Sequence, residues 1–472
     1  MAWNGKKRML PAFGALIWLI CGSTAVQAQF PSGITFAPVF GTDGANHFNN
    51  PMTMDEMPGK PGYFLVCEAL AGNIWLLSPG ASSYTKTLFV HMDVNTSDAD
   101  DGLAGLVFHP DFAANRKYYV KFGDPNASVR TLKIAERIAA ANFLTDSGTQ
   151  PRILLSIRQP DEYKDHNGGG LVFGTDGYLY IGIGDGGWDV VTPDSHLNGQ
   201  NREVLLGKIL RIDVNRKDPG LEYGIPTDNP YVTSANTRIR REIYAYGARN
   251  PFRMTRDRLT GEIFIADVGL DRFEKVNLLR KGANYGWKLQ EYTYCFTPGT
   301  CDTITIDKPA GYAAFGPVKC FIGGQVYRGN PQSPFYGAYI FGDHTMKRLL
   351  AFKKGAAGPV AVTDMQAAPS EMTGFTLDNQ NNLYMVAYEG TIYKLNHPDL
   401  QPGQTVSLSP RRGRLALISE KGFGIGTWNG IGSGAMDMFT LDGKRQGRLE
   451  ADGSAGKTDR HRTGLAILAP VF

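Results

Sequence analysis

The chain has 472 residues, 42% of them hydrophobic and 20% charged, with a formal net charge of +4. That length exceeds a single small domain, the composition excludes a disordered chain, and the small charge leaves no basic field for nucleic acid. The 57 glycines, 21 tyrosines and 25 phenylalanines suit an all-β chain with many turns.

The first residues read as an export signal. Lys6, Lys7 and Arg8 precede an apolar run from Leu10 to Cys21, and Ala25-Val26-Gln27-Ala28 offers small residues for cleavage. The pattern predicts a signal peptide over 1–28 and a mature protein that is periplasmic, secreted or at the cell surface. Its removal takes three positive charges and no negative ones from +4, leaving about +1. No later run is long and apolar enough to form a transmembrane segment. Cys67, Cys295, Cys301 and Cys320 remain after cleavage. Export permits disulfides, and Cys295 and Cys301 enclose only the loop FTPGT, so they are expected to pair. Cys67 and Cys320 lie in apolar surroundings and read as buried thiols. No C-x-x-C or histidine cluster suggests zinc.

One phrase then recurs: a short apolar strand, a turn, and a second strand rich in Tyr, Ile, Val or Trp. It occupies 63–77, 102–122, 171–183, 250–269, 323–352 and 373–395. Six such units separated by turn-rich loops predict a six-bladed β-propeller over 29–398. Within it, Ile134–Leu144 reads as a short helix or a blade-edge segment, and His109-Pro110-Asp111-Phe112 as a turn. Residues 396–410 contain three prolines and few apolar residues, which suggests a linker over 399–410. Short strands in 411–472 predict a small C-terminal β-sandwich-like domain.

The third unit, DHNGGGLVFGTDGYLYIGIGDGG (165–187), carries the densest chemistry. Leu171–Phe173 and Tyr178–Ile183 form a hairpin around Thr175-Asp176-Gly177. His166 stands before a triple glycine and Asp185 before a double one. A hairpin brings its outer ends together, so the two side chains are expected to meet. A carboxylate beside an imidazole holds one nitrogen protonated and leaves the other as a base. The flanking glycines would let a flat ligand approach the backbone.

Several strings together resemble the soluble glucose/sorbosone dehydrogenases, the pyrroloquinoline-quinone (PQQ)-dependent aldose sugar dehydrogenases. They are DGLAGLVFHPDFAANRKYYV, DHNGGGLVFGTDGYLYIGIGDGG, GKILRIDVN, YGARNPFRMTRDRLTGEIFIADVG, EKVNLLRKGANYGW, GGQVYRG and YIFGDH, in that order across roughly 60–395. The resemblance implies a six-bladed propeller that oxidises an aldose at its anomeric carbon to the lactone, by hydride transfer to PQQ and onward to an external electron acceptor. It implies that His166 is the general base, that Asp185 orients it, and that Arg249 and Asn250 flank the quinone's reactive carbonyl. Asp100 and Asp165 would touch the sugar. The carbonyls of Val268 and Gly269 would hold calcium, whose preference is for hard oxygen ligands. Lys347 or Arg348 would supply one clamp for the quinone's carboxylates. The family's two further arginines are not found, since the stretch before TGFTLDNQ reads AAPSEM (367–372). The string NYGW reads as structural, with Trp287 packed between blades. The tail loosely resembles C-terminal secretion-sorting domains of Gram-negative bacteria; a carbohydrate-binding or stabilising β-domain fits its strands as well. The alternative for the whole chain is a non-catalytic propeller that binds glycan or protein at the cell surface.

Overall fold

Six antiparallel four-stranded arrays follow one another in a computed structural model of the chain. It describes residues 30–401 except 45, 81–82, 98–100, 161–164, 188–196 and 297–298, and beyond them the backbone of four strands. The signal peptide expected over 1–28 lies outside the described residues.

The first blade comprises Pro51–Glu56, Phe64–Glu68, Asn73–Pro79 and Tyr84–His91, and the second Leu103–Phe108, Lys117–Gly123, Thr131–Ile138 and Arg152–Arg158. The third comprises Leu171–Phe173, Leu179–Ile183, Lys208–Ile212 and Ile243–Tyr246. The fourth comprises Pro251–Arg256, Ile263–Asp267, Phe273–Leu278 and Gly311–Ala314, with the short strand Val360–Ala361 added in parallel. The fifth comprises Phe321–Val326, Ala338–Asp343, Arg348–Lys353 and Thr363–Ala367. The sixth takes Met372–Leu377, Leu383–Ala387 and Ile392–Asn396 from one part of the chain and Thr35–Phe40 from its start. The opening strand of each blade touches that of the next all the way round, and the sixth touches the first. The fold is therefore an all-β, six-bladed β-propeller.

Burial on both faces explains the composition of the strands. Phe64–Glu68, Leu179–Ile183 and Leu383–Ala387 are buried at every position, so they read as continuous apolar runs. Aromatic pairs join neighbouring blades. Phe264 stacks on Tyr339 at 5.1 Å between the fourth and fifth, and Tyr119 meets Phe173 edge-on at 5.4 Å between the second and third. At the axis, Arg253 donates to the carbonyls of Met52 (2.7 Å), Ala104 (3.1 Å) and Phe252 (3.0 Å), tying three blades together.

The segment Ile134–Leu144 is not helical. Its first half is the end of the strand Thr131–Ile138, where β-branched and apolar residues pack between two partners. The one α-helix among the described residues is Phe112–Asn115, within the turn that holds His109. There the His109 ring accepts the Asp111 backbone N–H at 3.0 Å.

The compact unit that holds the blades includes Leu400, which is buried in the core. The tail forms a separate unit. Gly413–Ser419, Gly422–Trp428, Met436–Phe439 and Arg445–Leu449 make one antiparallel meander. The last expected strand, within 463–472, lies outside the described residues.

Candidate active site

Blade topology puts the singled-out residues at one end of the propeller. His166 and Arg249 precede opening strands, while Asp185, Val268 and Lys347 follow second strands, and antiparallel pairing brings those positions to the same end. In the third blade Leu171 pairs with Ile181 and Phe173 with Leu179, and the Gly182 N–H bonds to the Gly170 carbonyl at 2.8 Å. Carried outward, that register sets His166 against Asp185.

The contact is direct. His166 Nδ1 lies 2.8 Å from Asp185 Oδ1. Asp185 Oδ1 also accepts the Gly187 N–H (3.0 Å), and its Oδ2 accepts Trp287 Nε1–H (2.6 Å). Burial alone would raise the Asp185 carboxyl. The adjacent His166 and Arg249 charges and the Trp287 bond outweigh it and hold the group below the usual carboxylate range. An ionised Asp185 accepts the Nδ1 proton and leaves the lone pair on Nε2. Asp165 Oδ2 stands 3.8 Å from that nitrogen, and its side chain is 57% exposed.

The glycines serve the protein's own backbone. A Cβ on Gly184 would lie 1.8 Å from the His166 carbonyl oxygen, and one on Gly169 would lie 2.7 Å from that of Phe252. His166 itself has φ +55°, so the hairpin end is tightly constrained. At these two glycines the close approach is one of strands.

Arg249 and Asn250 complete the cluster. Asp267, wholly buried, accepts both of their backbone N–H groups on one oxygen, at 3.0 and 2.8 Å. Asn250 Oδ1 accepts the Gly168 N–H at 2.9 Å, and the Asp185 N–H donates to the Arg249 carbonyl at 2.8 Å. The Arg249 guanidinium lies 5.4 Å from the Trp287 ring centre and donates Nη1–H to the Val268 carbonyl at 3.1 Å. Its Nε–H is buried and has no hydrogen-bond partner among the described residues.

Trp287 is packed between blades, as its string suggests, and it is also a member of the site through Asp185. Its ring meets Phe296 edge-on at 5.4 Å, next to the Cys295–Cys301 disulfide. Of the other cysteines, Cys67 is buried and Cys320 half-buried.

Not every residue singled out is brought here. Arg348 lies on the outer half of its blade, where Asp364 holds its guanidinium from two sides at 2.8 to 3.0 Å. It opens the third strand of that blade, whereas the opening strands line the axis. Lys347 is at the right end of the propeller, but its ammonium pairs with Glu371 at 3.4 Å. Asp100 lies outside the described residues. Its neighbour Asp101 is buried and bound to Arg130 (2.7 Å) and Asn167 (2.9 Å). That network anchors Asn167, next to the catalytic candidate His166.

The donors around Val268 and Gly269 do not fit calcium as they stand. The Val268 carbonyl is engaged by Arg249, and the nearest carboxylates bind backbone N–H groups. Glu274 takes those of Gly269 and Phe321, and Glu291 those of Leu270, Arg272 and Phe273. Among the described residues no group of three His, Cys, Asp or Glu is placed to hold a metal.

Fold and site together define a propeller with a carboxylate-oriented imidazole beside a buried guanidinium at one mouth. The family profile described as Glucose / Sorbosone dehydrogenase matches residues 48–373, and the chain belongs to that family. It is 30% identical over 317 residues to the HIPL2 protein of Arabidopsis thaliana, covering 55% of this chain and 44% of that one. It is 31% identical over 245 residues to quinoprotein glucose dehydrogenase B of Acinetobacter calcoaceticus, covering 48% of each. The chain spans about half the length of the curated relatives it matches. The apo structure of the soluble aldose sugar dehydrogenase of Escherichia coli shares the fold, with a TM-score of 0.62 at 20% identity, over 77% of this chain and 99% of that one.

Proposed function

We propose that this protein is an exported quinoprotein that oxidises an aldose at its anomeric carbon to the lactone. The observation that carries the reading is the bond from His166 Nδ1 to an ionised, buried Asp185, which leaves Nε2 as a base beside Arg249. His166 Nε2 takes the proton of the anomeric hydroxyl, and Asp185 with Trp287 fixes the ring and bears the imidazolium charge that results. When bound, PQQ would supply the two-electron acceptor for the hydride leaving the anomeric carbon, and an external acceptor would reoxidise it. Arg249 would meet the quinone's carbonyl edge with its unbonded Nε–H, and Asn250 would flank it. Asp165, and Asp100 beside the buried Asp101, are the acids proposed to face the sugar. Lys347 would reach a quinone carboxylate once released from Glu371, whereas Arg348 is committed to Asp364. The site as described fits the reactive edge of the quinone better than its carboxylates or a calcium ion.

A second reading has its own support. The two residues either of which was expected to supply a clamp for an anionic cofactor are both paired with the protein's own acids. A non-catalytic propeller that binds glycan or protein would need no such clamp. One titration separates the readings: PQQ is added to the purified protein, its absorbance is followed, and sugar-dependent dye reduction is recorded. Binding with turnover supports the dehydrogenase, and sugar binding with neither supports the alternative. No helix among the described residues is long and apolar enough to cross a membrane. Export rests on the signal pattern over 1–28, and a role for the tail in sorting is part of the same proposal.

A further inference from the structure

Behind the site lies a buried charge cluster that the reaction does not use. Lys275 is 1% exposed and sits in the third strand of the fourth blade, directly opposite Asp267 in the second. Its ammonium is 4.0 Å from an oxygen of Asp267 and 4.0 Å from one of Glu291, and has no hydrogen-bond partner among the described residues. Both carboxylates are fully buried. Asp267 pins the Arg249–Asn250 backbone, and Glu291 pins Leu270, Arg272 and Phe273. Between them they hold the two backbone segments that frame Val268.

A buried carboxylate without a cation is costly, and removing one partner of a buried pair costs more than the pair contributes. Glu274 escapes that cost, since burial pushes its carboxyl up to about 8 and keeps it protonated at neutral pH. Burial raises the Asp267 carboxyl as well, and the Lys275 ammonium is the foremost group opposing that rise, ahead of the two backbone N–H bonds and the Arg249 charge; Glu291 shares the same ammonium.

We propose that Lys275 is a positioning residue of this site: its ammonium is the built-in counter-ion that lets Asp267 and Glu291 hold the Arg249–Asn250 and Leu270–Phe273 segments. It does for this loop what a bound cation would otherwise do. The proposal rests on the reading of this mouth as a quinone site only for its effect on binding; its effect on the loop is independent of that reading.

The test compares the full-length wild type, Lys275→Met and Lys275→Met/Asp267→Asn, in which the amide oxygen can still accept the Arg249 and Asn250 N–H groups, each in a chelator and in millimolar calcium, the cation suited to oxygen donors. Melting temperature is read first. The wild type should be indifferent to calcium. Lys275→Met should melt lower in the chelator and recover with calcium, as a cation bound only by the folded state requires. The double variant, with one charge of each sign removed, should fold and ignore calcium. PQQ binding, followed by absorbance and tryptophan fluorescence, should be weakened about tenfold or more in Lys275→Met in the chelator and partly restored by calcium. A Lys275→Met protein with wild-type melting and no calcium response would overturn the proposal. So would a double variant that fails to fold or that gains a calcium response. If Lys275→Met does not fold in either medium, the double variant decides. A wild type that binds no quinone would end the quinone reading, while the melting data would still judge Lys275.

Discussion

Asp185 spends its oxygens on three donors, and each bond has a separate job. The His166 bond chooses the tautomer, the Trp287 bond fixes the carboxylate plane, and the Gly187 bond closes the turn. Loss of the base should therefore be distinguishable from loss of cofactor. In His166→Gln the rate of sugar-dependent dye reduction should fall by about a hundredfold or more, the usual scale for a general base. PQQ affinity measured by absorbance should stay within about twofold, because Arg249 and Asn250 are untouched. A variant that kept its rate, or lost quinone binding, would contradict the assignment. The His166–Asp185 pair was legible in the sequence because a hairpin of nineteen positions has one geometry for its ends. Trp287 was legible only as core, since its bond to Asp185 spans 102 positions and nothing local announces it. Arg348 misled for a related reason. Its neighbour Lys347 lies in the turn at the correct end, but Arg348 opens the third strand of the blade, where Asp364 holds it.

At the scale of the hairpin, glycine is required where two backbones cross. Gly184 faces the His166 carbonyl so closely that any Cβ must displace the residue that carries the base. Gly184→Ala should lower stability by roughly 1–3 kcal/mol, the usual cost of overpacking. It should also cut turnover more than its loss of folded protein explains, read by comparing denaturant melts with activity per folded molecule. Equal losses would mean that the hairpin end tolerates the shift. The glycine runs were visible in the sequence, but the strands that Gly184 and Gly169 face were not. Spacing shows that something comes close, and only the register shows that it is another strand. The same limit hid Asp267, Lys275 and Glu291. Asp267 and Lys275 occur in strings that were singled out and Glu291 just beyond one, yet their common cluster needs the pairing of Asp267 with Lys275 and the short strand that carries Glu291.

The whole ring encloses a cavity of about 360 Å³ that runs between the opening strands away from His166. Asp55 lines it with Arg253 and Arg258. Burial pushes the Asp55 carboxyl up to about 7 despite both arginines and a Thr53 hydroxyl at 3.4 Å. Its ordinary value is near 3.8, so the unfolded chain gives up this proton first as pH rises. Asp55 should therefore cost stability progressively from about pH 4 to pH 7, by a few kcal/mol in all. Asp55→Asn should remove that slope and melt above the wild type at pH 8 in parallel denaturation series; identical slopes would refute it. The blade count was legible from six repeated phrases, but the burial of Leu400 was not, because it looks like linker until the core it fills is seen. A chain ending at Leu400 should keep the circular-dichroism spectrum and melt of a folded β protein, and a molten product would place the boundary elsewhere. The seam of the ring sets the order of events during synthesis. Thr35 and Asn396, 361 positions apart, meet in the last sheet to close. Until that last strand is delivered, Phe36 and Phe40 have no partner in the sixth blade, and only the chain's slowest loop closure can cover them. A chain made from its first residue onward would thus carry this strand unpaired until Ile392–Asn396 is made.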